Sequence, residues 1–204
     1  MSPMKRVPTG LYGDFVEDLS GLLESARLAA ARSVNTVMTA TYWEVGRRIV
    51  EYEQGGKDRA EYGTELLNRL SHDLTRQFGR GFSLRNLQQI RGFYVTYAAA
   101  GISQTVSAKF SQRFPLPWSH YVRLLRLDNP LARQFYEAEA LRGGWTVRQL
   151  QRQIDSQYYE RTALSKNKEA TLSRPAPPDS PPTRAADEIR DPLVLEFLGL
   201  KDGR

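Results

Sequence analysis

The sequence predicts an all-α protein: a long helical arm followed by a helix-turn-helix-like helical bundle. Three observations predict it. Apolar residues recur at three- and four-residue steps, the spacing that lines one face of a helix. Cap residues, prolines and glycines stand where such runs would start and stop. No stretch alternates apolar and polar residues long enough to make a useful strand.

Residues 1–13 read as a loose lead. From Asp14 to Glu53 the apolar positions Phe15, Leu19, Leu22, Leu23, Ala26, Ala30, Val34, Val37, Met38, Val45, Ile49 and Tyr52 keep helical spacing without a proline. A continuous helix over this run would be about 60 Å long at 1.5 Å per residue. Ser33–Asn35 is the place for a bend, and a long hairpin arm is the natural reading. Gly55-Gly56 supplies the stop.

A second helix is expected over 61–77, with Tyr62, Leu66, Leu67, Leu70 and Leu74 as its stripe. Phe78-Gly79 ends it, and Arg80-Gly81 extends the turn. Ser83 is placed to cap a third helix over 84–98, its hydroxyl accepting from free N–H groups of the first turn. The stretch Ala99–Pro117 is a connection of undetermined structure.

Three later helix starts are marked. Pro117 stands ahead of Trp118-Ser119-His120-Tyr121. Asn129-Pro130 joins an N-cap to a proline at the first helical position. Thr146 and Gln149 make a capping box ahead of Val147, Leu150, Ile154 and Tyr158. Gly143-Gly144 closes the helix before it.

Residues 14–162 thus form one helical domain. Residues 163–190 hold five of the chain's eleven prolines and read as a flexible linker. The segment 191–204 opens on Asp191-Pro192 and the apolar LVLEFLGL. That run is too short to make a core, so it must dock on this domain, on a partner or on another domain.

Composition narrows the function. The 204 residues carry a net charge of +6 and no cysteine, which excludes thiolate metal sites and disulfides. No run of about 18 apolar residues is present, and the start lacks a secretory h-region. No membrane contact and a cytoplasmic location are therefore expected. The distribution of charge says more than its total. Residues 1–56 hold seven acids and six bases, whereas the 54 residues from Leu74 to Leu127 hold no Asp or Glu. That segment carries Arg76, Arg80, Arg85, Arg91, Lys109, Arg113, Arg123 and Arg126. Uncompensated cations on this scale point to a polyanion, and phosphates fit because their neutralisation releases counterions.

On a helical wheel of 84–97, Leu84, Leu87, Ile90, Tyr94 and Tyr97 share one side. Arg85, Gln88, Gln89, Gly92 and Thr96 share the other, with Asn86 at the boundary. Arg and Gln suit phosphates and base edges, and a helix, short turn and second helix is the arrangement that presents them. Arg91 falls on the apolar side, as a pairing or structural residue. Gly92 would let another backbone come close. The nucleic-acid contact set is therefore Arg76, Arg80, Arg85, Gln88, Gln89, Lys109, Arg113 and Arg123. The aromatics Phe78, Phe82, Phe93, Tyr94, Tyr97, Trp118, Tyr121, Phe135 and Tyr136 are expected mostly in the core. The outer face of the last helix (Arg148, Gln149, Gln151, Arg152, Asp155) is a weaker candidate surface.

Signs of catalysis are missing. The two histidines, His72 and His120, lie in different elements, and no HExxH, CxxC, phosphate loop or nucleophile elbow occurs. No lysine has an acid two positions before it, so the acid-x-lysine pattern of a PD-(D/E)XK nuclease is absent. No cofactor, no metal and no enzymatic activity of its own are expected.

Five stretches together resemble one known family: SVNTVMTATYWEVGRRIVEYEQGG, AEYGTELLNRLSHDLTRQFGRGFSLRNLQQIRGFY, LPWSHYVRLLRL, ARQFYEAEALRGGWTVRQLQRQIDSQYYERTALSKNK and DPLVLEFLGL. They cover about 33–168 and 191–200 and resemble the N-terminal helical domain of the YhcG-like family, whose full-length members are assigned as PD-(D/E)XK nucleases. The resemblance implies a DNA-binding or nuclease-regulating domain, with DPLVLEFLGL as the lead into a nuclease domain missing from this chain. Ala99–Ser111 departs from the shorter connection that the family leads one to expect. The expected partners are DNA, a separately encoded nuclease subunit, and a second copy through the 14–53 arm. The alternative is a protein-interaction or oligomerisation module whose basic face meets an acidic partner.

Overall fold

The computed structural model describes residues 9–55, 61–98, 114–164 and 192–198. All regular structure among them is helical. The first helix, α1 (Thr9–Gly55), runs unbroken for 47 residues. The helix is not broken at Ser33–Asn35, and the arm is one continuous helix rather than a hairpin. Ser33 Oγ donates to the Ala29 carbonyl at 3.0 Å, a bond that leaves the helical ladder in place.

After α1 come α2 (Glu61–Phe78), a 3₁₀ turn (Arg80–Phe82) and α3 (Leu84–Ala98). Ser83 caps α3 as expected: its Oγ accepts from the Asn86 N–H at 3.4 Å, and its carbonyl accepts from the Leu87 N–H at 2.9 Å. The main packing partner of α3 is the distal half of α1. Their crossing is tight at Gly46, where an added Cβ would lie 2.5 Å from the Ile90 carbonyl oxygen and 2.9 Å from Tyr94 Cβ. Gly92, expected to admit a close backbone, faces open space instead. It lies on the outer side of α3, so the glycine that permits the approach is the one on α1.

The second half of the bundle is α4 (Trp118–Leu124), α5 (Pro130–Gly143), α6 (Val147–Asp155) and α7 (Tyr158–Leu164). Local chemistry sets these ends. Asn129 Oδ1 accepts from the Leu131 N–H at 2.9 Å, ahead of Pro130 in the first turn. Gly144 closes α5 at φ +58°, a left-handed conformation that glycine adopts without a Cβ clash. Thr146 and Gln149 form the reciprocal capping box, at 2.7 and 3.2 Å. The single last helix expected through Tyr158 is divided in two at Ser156-Gln157, where Gln157 has φ +54°. The Tyr136 hydroxyl braces the break, donating to the Gln153 carbonyl and accepting from the Tyr159 N–H at 3.0 Å.

The core lies where α1, α3 and α4 meet. Tyr42, Phe93, Trp118 and Tyr121 are buried there with Leu87, Ile90 and Phe114, and the rings meet mostly edge-on or tilted. The Tyr42–Trp118 centroids are 5.0 Å apart. Most of the aromatics thus serve packing, as expected. Phe78 is the exception, at 57% exposure beside the basic turn. Behind the core, the Glu137 carboxylate accepts from the Tyr121 hydroxyl at 3.0 Å and the Tyr97 hydroxyl at 3.4 Å. Burial first, and then the Glu137 charge, raises both phenols above the usual tyrosine range.

A short helix, α8 (Pro192–Phe197), returns to the domain. It packs on α1 and the 3₁₀ turn, with Val194 buried and Phe197 edge-on to Tyr42 at 6.0 Å. The part of the apolar LVLEFLGL run that lies in α8 therefore docks on this chain's own core, through Val194 and Phe197. Most of the expected linker, from Ser165 to Asp191, lies outside the described residues, as does the connection 99–113.

Candidate nucleic-acid interface

The turn into α3, the first half of α3, and α4 border one open groove of about 320 Å³. Its walls carry Arg85 and Gln89 from α3, and Arg123 from α4 with Arg126 just after it. The Ser83 and Ser119 hydroxyls line it too, and Val147 brings the start of α6 to its edge. Among the described residues no Asp or Glu lines the groove. Among the described residues the guanidinium groups of Arg85, Arg123 and Arg126 have no ion-pair or hydrogen-bond partner. Among the described residues the acid-free segment is therefore uncompensated here in space as well as in sequence.

The order behind this groove comes from Asn86, which is buried between its walls. Its Nδ2 donates to the Gly81 carbonyl at 2.5 Å, and its Oδ1 accepts from the Trp118 indole N–H at 3.1 Å. One amide thus ties the turn before α3 to the first residue of α4, fixing Arg85 relative to Arg123. Nearby, His120 places Nε2 2.7 Å from the Trp145 carbonyl oxygen, which joins α4 to the loop before α6.

The expected contact residues divide. Arg85, Gln89 and Arg123 come together in the groove, and Gln88 is exposed one turn along α3 from Arg85. Arg76 lies apart at the end of α2, with Asp73 at 3.5 Å; both are exposed, so the pair contributes at most about 1 kcal/mol. Arg80 lies on the 3₁₀ turn, and its side chain is outside the described residues, as are Lys109 and Arg113. Arg91 is no part of the groove. Its Nε donates to both Glu53 carboxylate oxygens, at 3.0 and 2.8 Å, which ties α3 to the end of α1 as a pairing arginine should.

Arg126 and Ser119 are among the groove residues that the expected set lacked. Arg126 follows Arg123 by three positions, so one more turn of the same face would have found it. Ser119 gives no such signal, because a serine beside a buried tryptophan has no distinctive spacing. On α6 the weaker candidate surface is partly used up internally: Gln149 caps its own helix, and Gln151 donates to Asp155 at 2.7 Å. Among the described residues no group of three or more His, Cys, Asp or Glu is placed to hold a metal ion, and no helix is long and apolar enough to cross a membrane.

Comparison with known proteins bears on this arrangement. Residues 18–161 match the family model described as the DUF1016 N-terminal domain. The chain is similar to a protein of Escherichia coli (strain K12) named "Putative nuclease YhcG", with 48% identity over 227 aligned positions. The match takes in 99% of this chain and 60% of that relative, so the chain spans less than two thirds of its length. No solved structure matches the chain.

Proposed function

This chain belongs to the DUF1016 N-terminal domain family, and we propose that its 14–162 unit binds DNA and serves a nuclease without being a catalyst itself. The observation that carries the proposal is the groove in which Arg85, Arg123 and Arg126 converge, with no acid or partner for them among the described residues. Three such cations held apart from counter-charge fit the spaced charges of a phosphate backbone. Ser83 and Ser119 add hydroxyl donors that suit phosphate oxygens. Arg85, Gln88 and Gln89 would then bring the first turns of α3 to a groove of the duplex, in a helix-turn-helix-like manner. The relative's name supports a link to nuclease action, with the catalytic centre supplied by another domain or a separate subunit. A DNA target goes with a cytoplasmic site of action.

The test is a salt titration of DNA affinity. The wild type should bind with a steep log–log dependence on salt. Replacing Arg85, Arg123 or Arg126 by alanine should weaken binding to all sequences, each reducing the slope by about 1 for a lost phosphate contact. Unchanged affinity in the triple variant would overturn the proposal. Binding to an acidic protein with none to DNA at low salt would favour the protein-interaction alternative instead.

A further inference from the structure

Among the described residues, none packs on the outer part of α1. From Tyr12 to Ala30 no residue is buried, and Ala31 is the first that is. Yet this stretch is not built like a solvated helix. Tyr12, Phe15, Val16, Leu19, Leu22 and Leu23 are between 40% and 64% exposed, and they follow one another at three- and four-residue steps with Ala26 and Ala30. This is the stripe that a helix presents to a partner helix. It exposes contiguous apolar surface of a kind that isolated surface residues do not.

Charge identifies the partner and its direction. Outward of the point between Leu22 and Leu23 the stretch carries Asp14, Glu17 and Asp18 and no base, while on the inner side Arg27 and then Arg32 follow the one acid there, Glu24. Among the described residues, Asp14, Glu17, Asp18, Arg27 and Arg32 have no ion-pair partner. The apolar pattern also mirrors itself about the point between Leu22 and Leu23. Reversal about that point sets Phe15 at the level of Ala30, Leu19 at that of Ala26, and Leu22 at that of Leu23. Asp18 comes level with Arg27. Phe15 and Leu19 thus meet small side chains and Asp18 meets a base, as a self-complementary two-fold contact requires. A parallel pairing would set acid beside acid and Phe15 beside Phe15.

We propose that the free stretch of α1 is a homodimerisation element, pairing antiparallel with the same stretch of a second copy. The proposal does not rest on DNA binding. It rests on a bare apolar stripe whose shape and charge are complementary to their own reversal.

The experiment is sedimentation of the whole chain across a concentration series. The expected result is a reversible dimer that Leu19→Asp/Leu22→Asp converts to a monomer. Both residues are exposed in one copy, so the variant's thermal unfolding should keep the core transition. Arg27→Asp should weaken the dimer, and Arg27→Asp combined with Asp18→Arg should restore it. Direction is read by disulfide capture, because the chain has no cysteine of its own. Asp14→Cys mixed with Arg32→Cys should cross-link as a heterodimer, and Asp14→Cys alone should not. A monomeric wild type, a dimer that survives Leu19→Asp/Leu22→Asp, or cross-linking of Asp14→Cys alone would each overturn the proposal.

Discussion

A methyl group at position 46 would meet the Ile90 carbonyl oxygen at 2.5 Å and Tyr94 Cβ at 2.9 Å, neither of which can swing aside. Alanine favours a helix over glycine by about 1 kcal/mol, whereas overfilling a packed contact costs about 1–3 kcal/mol. The clash should win. Gly46→Ala is expected to lower the urea midpoint, while Gly92→Ala, whose new methyl meets nothing within 4 Å, should hold or raise it. The wheel assigned the close approach to Gly92 because it knew one helix at a time. Which of two helical glycines faces a neighbour depends on a crossing between α1 and α3, and that lies outside any local window. Asn86 was obscure for the same reason. Its position between the two faces of α3 was readable, but its acceptor bond to Trp118 spans 32 residues. Arg91 was readable in part. Its place on the apolar side foretold a pairing role, and Glu53 on α1 completes it.

Among the elements, those set by neighbouring residues were the most legible. Asn129-Pro130, Gly144 and the Thr146–Gln149 box act within a few residues and stand where the sequence put them. The division between α6 and α7 was not legible, because Tyr136 stabilises it from α5. The joint of α3, α4 and α5 has a consequence of its own in alkali. Tyr97 and Tyr121 hold their phenols neutral against burial and against the Glu137 carboxylate. Their folded pKa values lie above the unfolded value of about 10. Their contribution is therefore intact below that pH and is lost as pH rises above it, because the unfolded chain releases protons first. The melting temperature of the wild type should fall on passing above about pH 10. Tyr121→Phe should show a shallower fall there, and an equal slope in the two proteins would count against this account.

For the whole molecule, the all-α class and the order of its elements could be read from spacing and punctuation. The groove could be read only in part. Acid depletion over 74–127 drew attention to the segment that holds most of the groove, and the structure brings Arg85, Gln89 and Arg123 of that segment to its walls. The depletion could not separate these from Arg76, which lies apart on α2, because a charge count has no geometry. Nor could it decide where the LVLEFLGL run docks, since an apolar turn of that length fits many surfaces. The structure seats the part that lies in α8 on α1 and the 3₁₀ turn, against the same core that carries α3.

The unbroken course of α1 also makes it a ruler. Gly46, where α3 crosses, lies about 35 Å along the helix from the point between Leu22 and Leu23, at 1.5 Å per residue. Two copies joined at that point would hold their α3 crossings about 70 Å apart, close to two turns of B-DNA at about 34–36 Å each. Paired sites about 20 base pairs apart should then be bound cooperatively and on one face of the duplex, and sites separated by a further half-turn should not. Gel-shift titration of the two probes measures the difference, and equal cooperativity on both would show that the rod sets no spacing.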